Sequence, residues 1–180
     1  MFEIKDKTVK LSVRSLVEFI LRSGDIEKGS GGGRQSAEAM QEGSRIHRKI
    51  QKRMGPNYQA EVPLSITVPL EVDNLELELC IEGRADGILN QSKEKKQEEE
   101  PDIIIDEIKG VYRELSTMKE AVPVHIAQAK CYAYIYALQN GLSDIGVRMT
   151  YCNIETENII YFDQVYTFDE IKGWFMNLVK

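Results

Sequence analysis

Three side chains that could together carry out a hydrolysis lie on two strand-like segments. They are Asp86, near the end of one segment, and Glu107 and Lys109, at the end of the next. Because alternate side chains of a strand share a face, Glu107 and Lys109 project together, while Asp106 and Ile108 project the other way. Asp86 and Glu107 could hold a hard divalent cation that keeps several waters. Such a cation, with Lys109 beside it, could activate water for attack on a phosphodiester and stabilise the developing charge.

A purely structural explanation of the Glu107 and Lys109 pair is also open. Exposed ion pairs are common and contribute little to stability, so such a pair alone indicates no function. The isoleucines at 103–105 form a run that is apolar on both faces, as in a buried central strand. Charged residues directly after such a strand favour a functional site.

The composition predicts one domain spanning residues 1–180, with 42% hydrophobic residues to form its core. The sequence has no apolar run of membrane-spanning length and no apolar signal segment, so we expect a cytoplasmic protein without a membrane partner. Cys80, Cys131 and Cys152 are far apart and form no C-x-x-C pair. We therefore expect reduced core cysteines, with neither zinc nor an iron–sulfur cluster.

The charge distribution is uneven along the chain. A formal net charge of -6 argues against a protein that coats nucleic acid non-specifically. Much of the acidity lies in residues 93–100, and we predict a disordered loop over 91–101. Residues 45–53 are strongly basic, which fits either a solvated helix face or one that contacts phosphates. In the second case Arg48 and Lys52 are candidate DNA contacts.

The first third of the chain predicts two helices separated by a glycine-rich connector. The first helix has Ser12 as its N-cap and carries apolar residues at helical spacing, namely Val13, Leu16, Val17, Ile20 and Leu21. The connector at 29–33 lacks the Lys-Ser/Thr ending of a phosphate-binding loop, so no nucleotide site is expected there. A longer helix then runs from Ser36 toward Met54 and places Gly43 and His47 one turn apart.

Alternating apolar residues predict the next three elements as strands. Residues 59–70 form the first, an edge strand because of Pro63 and Pro69. Residues 75–82 alternate strictly and lead to Asp86. Residues 103–109 form the third strand, a hairpin neighbour of the second, which makes a metal shared between them feasible.

The last third of the chain predicts a helix, two strands and a second helix. The first helix follows residues 122–125 and closes at Asn140 and Gly141. Strands at 145–154 and 159–166 follow, with a turn at Glu157 and Asn158. A capping box at 167–170 opens the final helix, whose apolar face reaches the last residues and suggests that the native chain continues past Lys180.

This order of elements, with an acid on the second strand and Glu-x-Lys on the third, resembles the PD-(D/E)XK nuclease superfamily. It is most similar to the RecB-type branch, because Gly43-x-x-x-His47 lies upstream of the acids and Gln128-x-x-x-Tyr132 lies downstream. The resemblance covers nearly the whole chain. It implies an α/β fold with a restriction-endonuclease-like αβββαβ core, in which helices flank a central mixed sheet.

The resemblance also implies roles for individual residues. Asp86 and Glu107 would bind Mg²⁺ or Mn²⁺, with His47 and the Ile108 carbonyl as further ligands. Lys109 would orient or activate the attacking water. For His47 the structural alternative is a helix-surface histidine, although imidazole accepts manganese-type cations readily.

Two further side chains would touch the nucleic acid, namely Gln128 and Tyr132. For Tyr132 the structural alternative is strong, since an aromatic residue on a packed helix is usually in the core with its hydroxyl bonded. Glu61 on the edge strand is an outer-shell candidate. The four-cysteine iron–sulfur arrangement of some relatives has no counterpart in this sequence.

We therefore expect a metal-dependent DNA nuclease, favouring an exonuclease that acts on single-stranded or end-containing DNA. The alternative is a nuclease-like fold that serves as a DNA-binding or docking module of a larger machine, with a helicase domain in the same chain or complex. A carboxylate-pair glycosidase explains neither Lys109 nor His47. The sequence does not distinguish DNA from RNA, or exonuclease from endonuclease action.

Overall fold

The computed structural model describes residues 3–5, 7–23, 37–93 and 97–179. In these residues seven strands form one mixed sheet with four α-helices packed around it, which confirms the predicted α/β class. The strands are β1 (Glu3–Lys5), β2 (Thr8–Ser12), β3 (Tyr58–Val72), β4 (Leu75–Asn90), β5 (Ile103–Val111), β6 (Asp144–Asn153) and β7 (Ile159–Thr167). The helices are α1 (Val13–Ser23), α2 (Ala37–Arg53), α3 (Pro123–Asn140) and α4 (Phe168–Leu178), with a short 3₁₀ helix at Leu115–Thr117. The run from α2 to β6 has the expected αβββαβ order.

The sheet forks in the middle of β4. Its strand order is β1-β2-β4-β5-β6-β7, and β3 pairs antiparallel with β4 along nearly the whole length of both strands. On the opposite side of β4, parallel pairing with β2 stops at Glu82, and antiparallel pairing with β5 begins only at Gly87. β5 continues to Val111 paired with β6 alone. The fork therefore opens beside Asp86 and beside the last five residues of β5.

A local irregularity interrupts the β3–β4 hairpin at Asp86. Ala85 and Ile88 both belong to the main core cluster, although strict alternation would place them on opposite faces. Across from Asp86, Glu61 has a positive φ of 55°, and the register skips the pair between these two residues. The same register resumes beyond the gap, so this is a local distortion of the hairpin without an inserted residue. Asp86 lies at this distortion, where its carboxylate is close enough to Glu107 to raise the pKa of that carboxyl.

Helices cover both faces of the sheet. The main core lies between the sheet and α1, α3 and α4, and it includes Ile81, Ile105, Val147 and Ile135. A smaller cluster holds α2 against the other face through Ile46, Ile50, Ile108, Cys152 and Ile154. Burying an isoleucine side chain contributes about 1.5–3 kcal/mol, so these contacts fix the position of α2 over β5.

Gly87 provides the space for a buried tyrosine beside the fork. A Cβ at this position would lie 1.8 Å from the Tyr58 hydroxyl oxygen, so no other residue fits without displacing that ring. The Tyr58 hydroxyl donates a hydrogen bond to Asp106 Oδ2 at 2.7 Å. The glycine therefore allows Asp106 to be held by β3 as well as by its own sheet neighbours.

The predicted helix ends are largely confirmed. The Ser15 backbone N–H donates to Ser12 Oγ at 3.0 Å, as expected for the N-cap of α1. Gly141 closes α3 in the left-handed conformation with a φ of 63°, and the capping box of α4 is present. α3 begins at Pro123, three residues before the predicted start at Ile126. No helix of the described ranges is both long and apolar enough to cross a membrane.

Some sequence predictions differ from the structure or fall outside it. The hairpin of β1 and β2 was not predicted. The expectation that all three cysteines are core residues is wrong for Cys80, which is only half-buried, whereas Cys131 and Cys152 are buried. The connector at 29–33 and the helix start at Ser36 lie outside the described residues. Within 91–101, all but residues 94–96 are described, as turns and bends, and the disorder of this loop stays a prediction.

Candidate active site

α2 places two polar side chains over the fork in the sheet. His47 Nδ1 lies 3.7 Å from Asp86 Oδ1. One turn later, Gln51 Nε2 donates to the Asp86 backbone carbonyl at 2.8 Å and to Glu61 Oε1 at 3.0 Å. His47 and Gln51 follow the buried anchors Ile46 and Ile50 by one residue each, so packing of the helix fixes both polar groups.

The Asp86 carboxylate connects β4 to β5 across the fork. Its Oδ2 accepts a hydrogen bond from the Ile108 backbone N–H at 2.7 Å. The side chain thus takes the place of the backbone ladder that ends at Gly87. Asp86 is only 8% exposed, and its Oδ1 faces His47.

Glu107 is the most unusual carboxylate of the site. It is 5% exposed, and its Oε2 is the single fully buried side-chain polar atom of the described residues without a hydrogen-bond partner. Lys109 Nζ lies 3.7 Å from the other oxygen, Oε1. Burial raises the pKa of Glu107 well above its usual value, the charge of Asp86 raises it further, and Lys109 partly offsets both. A buried, unpaired carboxylate oxygen is costly, and a bound cation would satisfy it.

The structure brings together four of the predicted site residues, namely His47, Asp86, Glu107 and Lys109. They come from one helix and two strands: His47 contacts Asp86, Lys109 contacts Glu107, and the charge of Asp86 acts on Glu107. Ile108 contributes its N–H to Asp86, while its carbonyl as a metal ligand stays a prediction. As the side chains stand, no three His, Cys, Asp or Glu residues of the described ranges are grouped closely enough to hold a metal. Binding of one ion by His47, Asp86 and Glu107 together would therefore need these side chains to move closer to one another.

Asp106 points away from these residues, as expected from strand alternation. Thr150 Oγ1 donates to its Oδ1 at 2.5 Å, and Tyr58 bonds its Oδ2. Burial raises the pKa of Asp106, whereas these two hydrogen bonds act in the opposite direction. With both oxygens bonded, Asp106 is a structural acid that ties β3, β5 and β6 together.

Gln128 and Tyr132 on α3 are both enclosed by the fold. They are 7% and 5% exposed. A Cβ at Gly83 would lie 2.5 Å from the Tyr132 hydroxyl, so this ring packs directly against β4. Burial raises the pKa of the Tyr132 hydroxyl, which also bonds to the Arg84 backbone. These contacts fit the structural alternative for Tyr132, and nucleic-acid contact by either residue stays a prediction.

The basic segment of α2 divides into paired and free charges. Arg45 pairs with Glu42 at 2.9 Å and lies 3.8 Å from Glu157, and Lys49 also pairs with Glu157. Arg48 and Lys52 are exposed and make no ion pair with any residue of the described ranges. Each follows a residue that faces the site by one position.

Several residues around the site were missed by sequence reasoning. Gln51 and Tyr58 hold Asp86 and Asp106, and Tyr151 on β6 lies directly across from Lys109. No motif marks these residues, because each acts through a contact made between distant segments. Sequence reasoning placed His125 only in the segment before the helix, yet it hydrogen-bonds Tyr151.

The chain is similar in fold to proteins of known structure. No family model and no curated protein matches it. Nine chains of solved structures match. One of them, "Crystal structure of SSO0001", has a TM-score of 0.54 and 15% sequence identity, with 98% of this chain and 77% of that chain covered. At this identity the likeness supports a shared fold and carries no statement about activity.

Proposed function

We propose that this protein is a metal-dependent nuclease of the PD-(D/E)XK type that hydrolyses DNA phosphodiesters. The observation that carries the proposal is the meeting of His47, Asp86, Glu107 and Lys109 at the fork in the sheet. A fold without a ligand has little reason to bury two neighbouring acids there and leave one oxygen unpaired.

Asp86, Glu107 and His47 are the residues that would hold Mg²⁺ or Mn²⁺. Two carboxylates and an imidazole suit such cations, which accept few protein ligands and retain water. The buried Oε2 of Glu107 fits this role, because it has no partner within the fold. When bound, the cation would stabilise negative charge on the reacting phosphate and lower the pKa of a bound water.

The remaining residues act by positioning. The Lys109 ammonium, with its side chain 24% exposed, can donate hydrogen bonds to an attacking water or to a phosphate oxygen. Gln51 and the Ile108 N–H hold the backbone and side chain of Asp86 before any ligand arrives. Such prior organisation reduces the cost of assembling the site during the reaction.

The free charges of α2 support a nucleic-acid substrate. Arg48 and Lys52 are exposed, and each follows by one position a residue that faces Asp86, namely His47 and Gln51. The phosphates of a DNA strand bound at the site could therefore lie along Arg48 and Lys52. Action on single-stranded or end-containing DNA, as an exonuclease, belongs to this same proposal. It follows from the resemblance to the RecB-type branch.

A docking module of a larger helicase-type assembly is the second candidate. It is favoured by the separation of the site groups in the described residues, where no ready metal-binding cluster is found. The net charge of -6 also gives little general attraction to DNA. Such a DNA-binding or docking module would keep the fold without binding Mn²⁺ at the fork.

The test of activity is cleavage of end-labelled single-stranded and duplex DNA in Mn²⁺. We expect Lys109→Ala to reduce the rate by about 10²–10³-fold, as removal of one charge-stabilising donor typically does. Lys172→Ala is the matched control, because Lys172 is exposed on α4, which contains none of the proposed site residues. Equal rates for the wild type and Lys109→Ala would refute the catalytic assignment.

A further inference from the structure

A buried tyrosine lies directly across from Lys109 in the sheet. Lys109 on β5 and Tyr151 on β6 are register partners, and Tyr151 is 0% exposed. The Val122 backbone N–H donates to the Tyr151 hydroxyl oxygen at 2.9 Å. The same oxygen lies 2.9 Å from Nδ1 of His125, in the first turn of α3.

This arrangement assigns the tautomer of His125. The Tyr151 oxygen accepts a hydrogen bond from the Val122 N–H, and Nδ1 of His125 is the other partner of this buried hydroxyl among the described residues, so the hydroxyl proton is directed to Nδ1. A neutral imidazole that accepts at Nδ1 carries its proton on Nε2. Burial, with the charges of Lys109 and Arg14, lowers the pKa of His125 to about 4. At neutral pH His125 is therefore an uncharged hydrogen-bond donor through Nε2.

We propose that His125 is a phosphate-contacting residue, whose Nε2–H donates to a backbone phosphate oxygen of a nucleic-acid strand bound beside Lys109. This inference rests on the nucleic-acid substrate of the proposed function and adds a binding group from α3. The subsite would combine the imidazole with the ammonium of Lys109 and the guanidinium of Arg14.

The surroundings of His125 include two cations that could attract an anion, although Arg14 also pairs with Glu18 at 3.0 Å and Lys109 lies 3.7 Å from Glu107. Two cations from different elements, Lys109 and Arg14, lie close enough to influence its protonation. The first turn of α3 contains no acidic residue, and no side chain caps that end of the helix. Its positive end thus adds to the attraction for a negatively charged group. An uncharged donor near two cations can contact a phosphate without adding to their mutual repulsion.

The test is the affinity of a fluorescein-labelled single-stranded DNA oligonucleotide in Ca²⁺, measured by fluorescence anisotropy. His125→Asn keeps an acceptor for the Tyr151 hydroxyl and removes the Nε2 donor. We expect it to weaken binding by about tenfold or more, the usual loss for one hydrogen bond to a charged group. His125→Gln places an amide donor near the Nε2 position and should recover part of the affinity. Thermal unfolding of both variants reports any loss of structure.

A second set of oligonucleotides separates contact with phosphate from an indirect effect. Each oligonucleotide carries one uncharged methylphosphonate in place of a phosphate. When the methylphosphonate replaces the phosphate that His125 contacts, the wild type and His125→Asn should bind the oligonucleotide with the same affinity. Affinity of His125→Asn equal to that of the wild type, or a difference that persists at every methylphosphonate position, would overturn the proposal.

Parallel cleavage assays in Mn²⁺ distinguish this inference from the proposed function. If the wild type binds the oligonucleotide through His125 but cleaves nothing, the subsite is supported and the nuclease proposal fails. If the wild type cleaves and His125→Asn binds equally well, the nuclease proposal stands and the subsite fails. If the wild type neither binds nor cleaves DNA, both fail.

Discussion

Glu107 shows how the site differs from an ordinary ion pair on a strand. An exposed Glu-x-Lys pair leaves both charges in water and changes stability little. Here the carboxylate is buried beside Asp86, one oxygen is unpaired, and Lys109 is 3.7 Å from the other oxygen. Burial of the Glu107 carboxylate beside Asp86 lowers the stability of the fold unless a further positive charge binds there. Such a cost is typical of functional sites.

Replacement of Glu107 by glutamine should stabilise the metal-free protein. The raised pKa means that the folded state binds the Glu107 proton more tightly than the unfolded state does. Its favourable contribution is present below the unfolded pKa of about 4.3 and is lost as the pH rises through the folded pKa. In EDTA at pH 8 we expect Glu107→Gln to raise the Tm by about 2–4 °C, corresponding to about 1 kcal/mol for a chain of this size.

The effect of Glu107→Gln on the Tm has two controls, its dependence on pH and a surface variant. The difference between Glu107→Gln and the wild type should shrink toward pH 4, where both side chains are uncharged. Glu120→Gln removes an exposed carboxylate and should leave the Tm within about 1 °C of the wild type. A lower Tm of Glu107→Gln at pH 8 would show that the carboxylate stabilises the fold, and it would contradict this account.

The three sides of α2 have separate roles. Ile46 and Ile50 anchor the helix on the sheet, His47 and Gln51 face Asp86, and the outer side carries the basic residues. The sequence predicted the helix and its basic side but not which charges are paired. That depends on Glu157, which lies in the turn between β6 and β7 and reaches back to Lys49.

The two lysines of this outer side give a matched pair of variants. Lys52 is exposed without an ion pair in the described ranges, whereas Lys49 is paired with Glu157. If the bound DNA strand runs along α2, Lys52→Gln should weaken DNA binding. It should also reduce, by about 1, the slope of the logarithm of the binding constant against the logarithm of the salt concentration. Lys49→Gln should have a smaller effect on both, since its charge is already partly neutralised. If neither variant changed the DNA affinity or its salt dependence, the bound DNA would not run along α2.

The limits of sequence prediction are clearest at the elements around the fork. Periodicity was sufficient for the long strands β3 to β7 and for α3 and α4. It missed β1 and β2, because strands of three and five residues show little alternation. It also could not reveal the distortion of the hairpin at Asp86, where the core residues Ala85 and Ile88 break strict alternation. The residue types of the site were therefore predictable, whereas the local distortion at Asp86 was not.

The whole molecule supports the site by joining segments that are distant in sequence. His47 belongs to α2, Asp86 to β4, Glu107 to β5 and Tyr151 to β6, and the sheet order makes them neighbours. Sequence reasoning predicted that the first three meet, because motif order implied it. It did not predict Tyr151 and His125, whose contact depends on how α3 packs over β6.

Binding of a divalent cation at the fork is the central claim, and calorimetric titration with Mn²⁺ near pH 7.5 tests it most directly. Asp86→Asn is the informative variant, because an amide oxygen can still accept from the Ile108 N–H while the charge is lost. We predict Mn²⁺ binding by the wild type and by the surface control Glu120→Gln, and little or none by Asp86→Asn. Absence of binding by the wild type, or equal binding by Asp86→Asn, would contradict the account.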